Sequence, residues 1–230
     1  MHPRRSKTKS PRRRPRNALR DGVQRALVGS AVAAAFVLLA AAPSSAGTAA
    51  SAKTRVTVIG DSIMASFDYV PSAGRELGKG LDLRSDNAVC RRLVSASCPY
   101  GGSTPATALD VVRASGRALG QVVVINVGYN DWSAVYDVDR VMKALRAAGV
   151  RQVIWVTLRE ASSNASLYSQ SNARIRTADR KWRSLVVADW NAHSRGRPWF
   201  RSYGLHLTAA GASGLARLLR PLVVAGAGST

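Results

Sequence analysis

The chain predicts an α/β fold whose parallel sheet is covered on both faces, and three observations predict it. Short apolar, β-branched runs recur at residues 55–60, 121–127, 150–157 and 184–188. Stretches of helical period lie between them. The run at 121–127 is continuously apolar, as a strand buried on both faces requires. A chain of 230 residues with 46% hydrophobic residues suits one domain with a full core, expected to act as a monomer.

In chain order, residues 1–25 are dense in Arg and Lys, residues 26–42 are almost wholly apolar, and Ser44-Ser45-Ala46 offers small residues to a signal peptidase. Residues 1–46 therefore read as a signal peptide, with a basic n-region, an apolar h-region and a mature start at Gly47. The alternatives are an uncleaved anchor, for which the apolar run is short, and a basic nucleic-acid arm, which gives no reason for the apolar run that follows. A twin-arginine signal is disfavoured because Pro15 follows Arg12-Arg13-Arg14.

The formal net charge is +21, and the leader holds ten of the 34 Lys and Arg and one of the 13 Asp and Glu. That leaves 24 against 12, or +12, on the expected mature chain. Such a protein is drawn to anionic wall polymer or acidic lipid; the other reading is solubility alone. Cys90 and Cys98 both follow the leader. In an oxidising compartment they read as a disulfide, whose short loop would contribute about 2 to 3 kcal/mol. A metal or redox pair fits less well, with no second pair and no Cys-x-x-Cys spacing.

Residues 47–54 read as a flexible linker before the first strand, which Gly60 ends. Residues 80–86 form a weaker strand candidate, with Leu81 and Leu83 alternating. Residues 107–119 place Ala108, Val111, Val112 and Leu119 near one helical face, and residues 137–148 do so with Val138, Val141, Met142 and Leu145, stopped by Gly149. Residues 171–183 form a basic helix in which Arg176, Arg180 and Arg183 share a face, either solvated or polymer-binding. Thr208 is placed to cap a last helix over 209–224, and residues 225–230 are expected to fray.

Three segments carry candidate chemistry: Gly60-Asp61-Ser62, Gly128-Tyr129-Asn130-Asp131 and Tyr203-Gly204-Leu205-His206-Leu207-Thr208. The first two leave the carboxyl ends of strands, where α/β proteins bind ligands. The third precedes the last helix and can return over that edge. A hydroxyl, a carboxamide and an imidazole so placed fit acyl transfer, with His206 as base and Asn130 plus backbone N–H groups near Ser62 as oxyanion donors.

On these residues the chain resembles the SGNH, or GDSL-type, hydrolases, from Arg55 to Val224. The resemblance implies a flavodoxin-like three-layer α/β/α fold with a five-stranded parallel sheet over 55–224. It implies Ser62 as nucleophile and oxyanion N–H donor, Asn130 as second donor and His206 as base. The stretch Asp86-Asn87-Ala88-Val89-Cys90-Arg91-Arg92 is similar to the peptidoglycan O-acetyltransferase branch and lacks the family's usual second-block glycine. Arg91 or Arg92 would then face substrate, or be a surface pair beside the disulfide. Tyr203 stands where the family commonly has an aspartate, and a neutral phenol does not stabilise an imidazolium as a carboxylate does. A backbone carbonyl or Asp189 would then orient His206, or the domain would have kept binding without catalysis.

Plainer roles compete. Ser62 could cap a helix, and Asp61 and Asp131 suit turn bracing. Trp132 is a candidate pocket wall, whereas Trp155, Trp182, Trp190 and Trp199 suit the core. His193 and His206 lack a carboxylate at ligand spacing, so no metal is expected, and no phosphate loop or dinucleotide fingerprint implies a cofactor. The expectation is a secreted serine esterase or deacetylase acting on a carbohydrate, lipid or small-molecule ester. Acetyl transfer to wall sugars and a wall-binding module are the alternatives.

Overall fold

The computed structural model describes residues 53–161 and 163–229. The proposed leader and most of the linker lie outside the described residues. Five strands form one parallel sheet: β1 (Arg55–Gly60), β2 (Asp82–Asn87), β3 (Val122–Asn126), β4 (Gln152–Val156) and β5 (Leu185–Ala188), in the order β2-β1-β3-β4-β5. The central strand β3 is buried throughout, as its unbroken Val-Val-Val-Ile run requires.

Side chains alternate across the sheet and divide the core in two. Val56, Val58, Val122, Val124, Ile154 and Val156 point to one face. There they meet α1 (Ser66–Tyr69), α2 (Pro71–Gly78) and α7 (Ala209–Gly228), whose Ala212, Leu215, Ala216, Leu219 and Val223 recur at helical period. Ile59, Val123, Ile125, Val153 and Trp155 point the other way, toward α3 (Ala108–Ser115), α4 (Val138–Ala147) and α5 (Ala165–Lys181). The result is the expected three-layer α/β/α architecture. A one-turn α6 (Trp190–His193) follows β5.

Several boundaries differ from the sequence reading. The helix α2, which the sequence reading did not mark, begins with Pro71, a position where a missing N–H costs nothing. The stretch 116–119 tightens to a 3-10 turn because Gly116, at φ 48°, ends α3. The helix α5 starts six residues before the predicted 171, and α7 runs on through Gly228 rather than fraying after Val224. Among the described residues no helix is long and apolar enough to cross a membrane.

The chain leaves β1 for β2 on one side and takes up β3 on the other. The carboxyl ends of β1 and β3 therefore flank the point where the winding direction reverses, which opens a crevice at the sheet edge. Ser62 and Asn130 follow those two strands.

Candidate active site

The turn after β1 is organised by Asp61, whose side chain is fully buried. Its Oδ1 accepts the Ile63 N–H at 3.0 Å, and its Oδ2 accepts the Gly128 and Tyr129 N–H groups at 3.1 and 3.2 Å. The Asp61 N–H donates to the Asn126 carbonyl at 3.0 Å. One carboxylate thus binds the first segment to the second. Burial raises its pKa to about 6 even though the three N–H groups and Arg91 favour the charged form. Gly60 is required here by space, since a Cβ would lie 2.3 Å from Met64 Cβ. Ser62 is half-buried and caps no helix: α1 begins after Ala65 without a side-chain cap.

Asn130 and Asp131 grip the loop after β2. The Asn130 Nδ2 donates to the Arg91 carbonyl at 3.2 Å, and Arg92 Nε donates to the Asn130 carbonyl at 2.8 Å. The Leu93 N–H lies 3.0 Å from each Asp131 oxygen. Burial, aided by the charge of Asp61, lifts Asp131 to about 7 against the opposing Leu93 N–H and Arg92. Cys90 and Cys98 form a disulfide within this loop.

Arg91 does not face solvent. Its buried guanidinium donates to the Ala106, Gly60 and Asp86 carbonyls and pairs with the Asp86 carboxylate at 2.7 Å, so all its geometry is structural. Arg92 is half-buried and holds the Asn130 and Ala96 carbonyls. The Ala88 N–H, first after β2, continues the ladder to the Gly60 carbonyl at 3.1 Å and is engaged there.

His206 sits on a hairpin between Trp199 and Thr208. Phe200 bridges Leu207, the Arg201 N–H donates to the His206 carbonyl at 2.8 Å, and Gly204 makes the turn at φ 76°. Thr208 caps α7 through the Gly211 N–H. Tyr69 lies seven residues past Ser62, and its hydroxyl donates to the Leu207 carbonyl at 3.3 Å, fastening the histidine hairpin to the helix that follows the Ser62 turn. Among the described residues the Ser62 hydroxyl has no hydrogen-bond partner, so backbone and Tyr69 make the connection rather than a direct Ser62–His206 bond.

The partner of the imidazole is Tyr203. Its hydroxyl lies 2.9 Å from His206 Nδ1, with the rings edge-on and 5.4 Å apart. Burial, then the charge of Arg201, lowers the His206 pKa below its ordinary 6.5. Asp189 does not take this place. Its Oδ1 accepts from Thr157 Oγ1 and from the Ala192 N–H that begins α6, and its Oδ2 pairs with Arg176 at 2.9 Å. Burial acts to raise its pKa, but Arg176 and the hydrogen bonds outweigh that and lower it. Trp132 is 60% exposed, while Trp155 and Trp190 are core. Among the described residues no three His, Cys, Asp or Glu side chains group as metal ligands.

Arg159 was not singled out by the sequence. Its N–H donates to the Tyr129 hydroxyl at 2.7 Å, its guanidinium donates to the Gly204 carbonyl, and it stacks on Phe200 at 3.7 Å. It therefore joins the Asn130 segment to the His206 hairpin. Burial pulls its pKa below the ordinary value and pushes that of Tyr129 well above it. The only signal available was its place just past the carboxyl end of β4.

No protein-family model and no curated protein matches the chain. Solved structures do. The C-terminal catalytic domain of peptidoglycan O-acetyltransferase A from Streptococcus pneumoniae aligns with a TM-score of 0.58 at 19% identity, over 76% of this chain and 95% of that one. A carbohydrate acetylesterase family member from Sinorhizobium meliloti aligns at 0.56 and 18%, over 76% and 99%. TesA aligns at 0.53 and 17%, over 75% and 99%. With the strand order and layering above, these likenesses establish that the chain has the fold of the SGNH-type hydrolases.

Proposed function

We propose that this protein is an exported serine esterase or deacetylase of the SGNH type, with a mature chain beginning near Gly47. The observation that carries the reading is the fastening of three separate segments at one sheet edge: Asp61 ties the Ser62 turn to Gly128 and Tyr129, and Tyr69 ties it to Leu207. Ser62 Oγ attacks the ester carbonyl as His206 Nε2 takes its proton. The oxyanion is met by the Ser62 N–H and by the Asn130 carboxamide, of which one hydrogen is held by the Arg91 carbonyl and the other is available. His206 then protonates the leaving alkoxide, and a water, deprotonated by the same nitrogen, releases the acid and restores Ser62.

Tyr203 gives this site its character. In the tautomer that carries its proton on Nδ1, the imidazole donates to the Tyr203 hydroxyl and Nε2 is free to accept; the phenol, which can also donate, orients the ring without dictating that tautomer as a carboxylate would. It supplies no negative charge to the imidazolium, so the arrangement supports a slower enzyme than a carboxylate triad. Tyr69, Trp132 and Tyr203 are 50%, 60% and 58% exposed on the three segments, which supports a sugar ring as the ester's carrier. A sugar hydroxyl in place of the water would make the protein an acetyltransferase.

The test is labelling by a serine-directed fluorophosphonate and hydrolysis of p-nitrophenyl acetate. Both should be lost in Ser62→Ala, with activity falling about 10⁴-fold or more. Equal hydrolysis by the two forms refutes the reading.

A further inference from the structure

Beside the His206 hairpin lies a cavity of about 180 Å³ lined by Arg159, Glu160, Ala161, Asn191, Arg195 and Gly196. Its chemistry is one-sided. Arg159 is fixed in place, stacked on Phe200 and held by the Gly204 carbonyl two residues before His206. Asn191 Oδ1 accepts the Glu160 N–H at 2.8 Å, which orients the carboxamide and leaves its NH₂ as a donor. Arg195 is exposed and, among the described residues, its guanidinium has no partner. The one acid of the lining, Glu160, is drawn toward α5 by Asn172 Nδ2 at 2.8 Å.

The surroundings reinforce this imbalance. Arg197 lies over Trp199 and Arg201 over Tyr69, each 5.6 Å from the ring centre. The ion pairs among the described residues engage Arg55, Arg84, Arg91, Arg176 and Lys181, and none engages Arg159, Arg195, Arg197 or Arg201. Four guanidinium groups thus stand without a carboxylate around one hairpin. A planar fork of N–H donors beside a fixed amide NH₂ matches a carboxylate or phosphate oxygen group.

We propose that this cavity binds an anionic group on the substrate's scaffold, so that the ester acted upon is carried by a polyanionic glycan. This rests on the esterase reading, because the Arg159 bond to Gly204 places the cavity against the loop that holds the base.

The experiment compares acetate release from O-acetylated polygalacturonate and from the same polymer with its carboxyls methyl-esterified. The protein should prefer the anionic polymer by about tenfold in kcat/KM at low salt, and the preference should shrink in 0.5 M NaCl, where the screening length drops to about 4 Å. Arg195→Ala should cut the preference about fivefold and Arg195→Glu should erase it. Arg146→Ala, an exposed cation on α4, should leave it intact. Equal, measurable rates on the two polymers, or a preference that survives Arg195→Glu, overturn the proposal. Calorimetric binding of oligogalacturonate to the Ser62→Ala protein separates the two readings. Binding weakened by Arg195→Glu, where the protein with Ser62 intact hydrolyses neither polymer, keeps the cavity and refutes the esterase. Competition by poly(glycerol phosphate) distinguishes a phosphate-bearing scaffold from a carboxylate-bearing one, the stronger competitor naming the source.

Discussion

The Ser62 turn and the histidine hairpin are built differently. The first is buried and cross-linked: Asp61 accepts three N–H groups from two motifs, and Asn130 and Asp131 clasp the disulfide loop. The second is half-exposed, and its imidazole leans on a phenol 2.9 Å away. Its anchorage to the body runs through Tyr69, Arg159 and the cap at Thr208. The difference teaches that the rigid half of this site is made by backbone donors meeting one buried acid, whereas the other half is positioned by side chains that can be exchanged singly.

The sharpest way to break the contrast is Asp61→Ala. Three buried N–H groups lose their acceptor, and stability in urea unfolding should fall by about 3 kcal/mol. A loss no larger than that of Arg159→Ala would erase the distinction between the two halves.

A second test uses pH. Asp61 and Asp131 stand at about 6 and about 7 when folded, against 3.8 ordinarily. Each holds its proton more tightly folded than unfolded. The stability they contribute is therefore fully present below 3.8 and declines as pH rises through about 6 and about 7. His206, lowered when folded, works the other way near its ordinary 6.5, while the lowered Asp82, Asp139 and Asp189 act only in more acid solution. The net expectation is a protein several kcal/mol more stable near pH 4.5 than near pH 7.5 by urea unfolding. Stability that climbs across that interval contradicts the burial of the two acids.

The smallest expected effect sharpens the hairpin. Tyr203→Phe should lower kcat/KM for p-nitrophenyl acetate about five- to tenfold, the worth of one hydrogen bond that orients the ring, with little change in stability. The rising limb of the pH profile should have its midpoint below 6.5 in the natural protein and move upward in Tyr203→Asp, where a carboxylate favours the imidazolium. An unmoved midpoint in Tyr203→Asp, with full activity in Tyr203→Phe, would show that the phenol does not position the base.

Much of the fold was legible because β-branched runs, glycine stops and helical periods are local signals. The places of Ser62 and Asn130 followed from strand ends, and that of His206 from the segment before the last helix. What escaped depended on long-range side-chain direction. Asp189 lay at the end of a strand as expected, yet it serves the start of α6 and Arg176, a partner 13 residues away on α5. Arginines are seldom buried, so nothing in Arg91 announced a guanidinium wrapped in carbonyl oxygens. The reach of the Tyr203 hydroxyl to Nδ1 depends on the Gly204 turn, and the bridging role of Arg159 on a hairpin 45 residues further along.

The Cys90–Cys98 bridge has a consequence for the loop it closes. That loop's Arg91 carbonyl receives the Asn130 amide and its Leu93 N–H seats Asp131. With both thiols reduced the apolar strands of the sheet are untouched, while the backbone that meets the carboxamide loses its covalent closure. The bond between the sulfurs thus narrows the wandering of the very stretch on which that carboxamide rests.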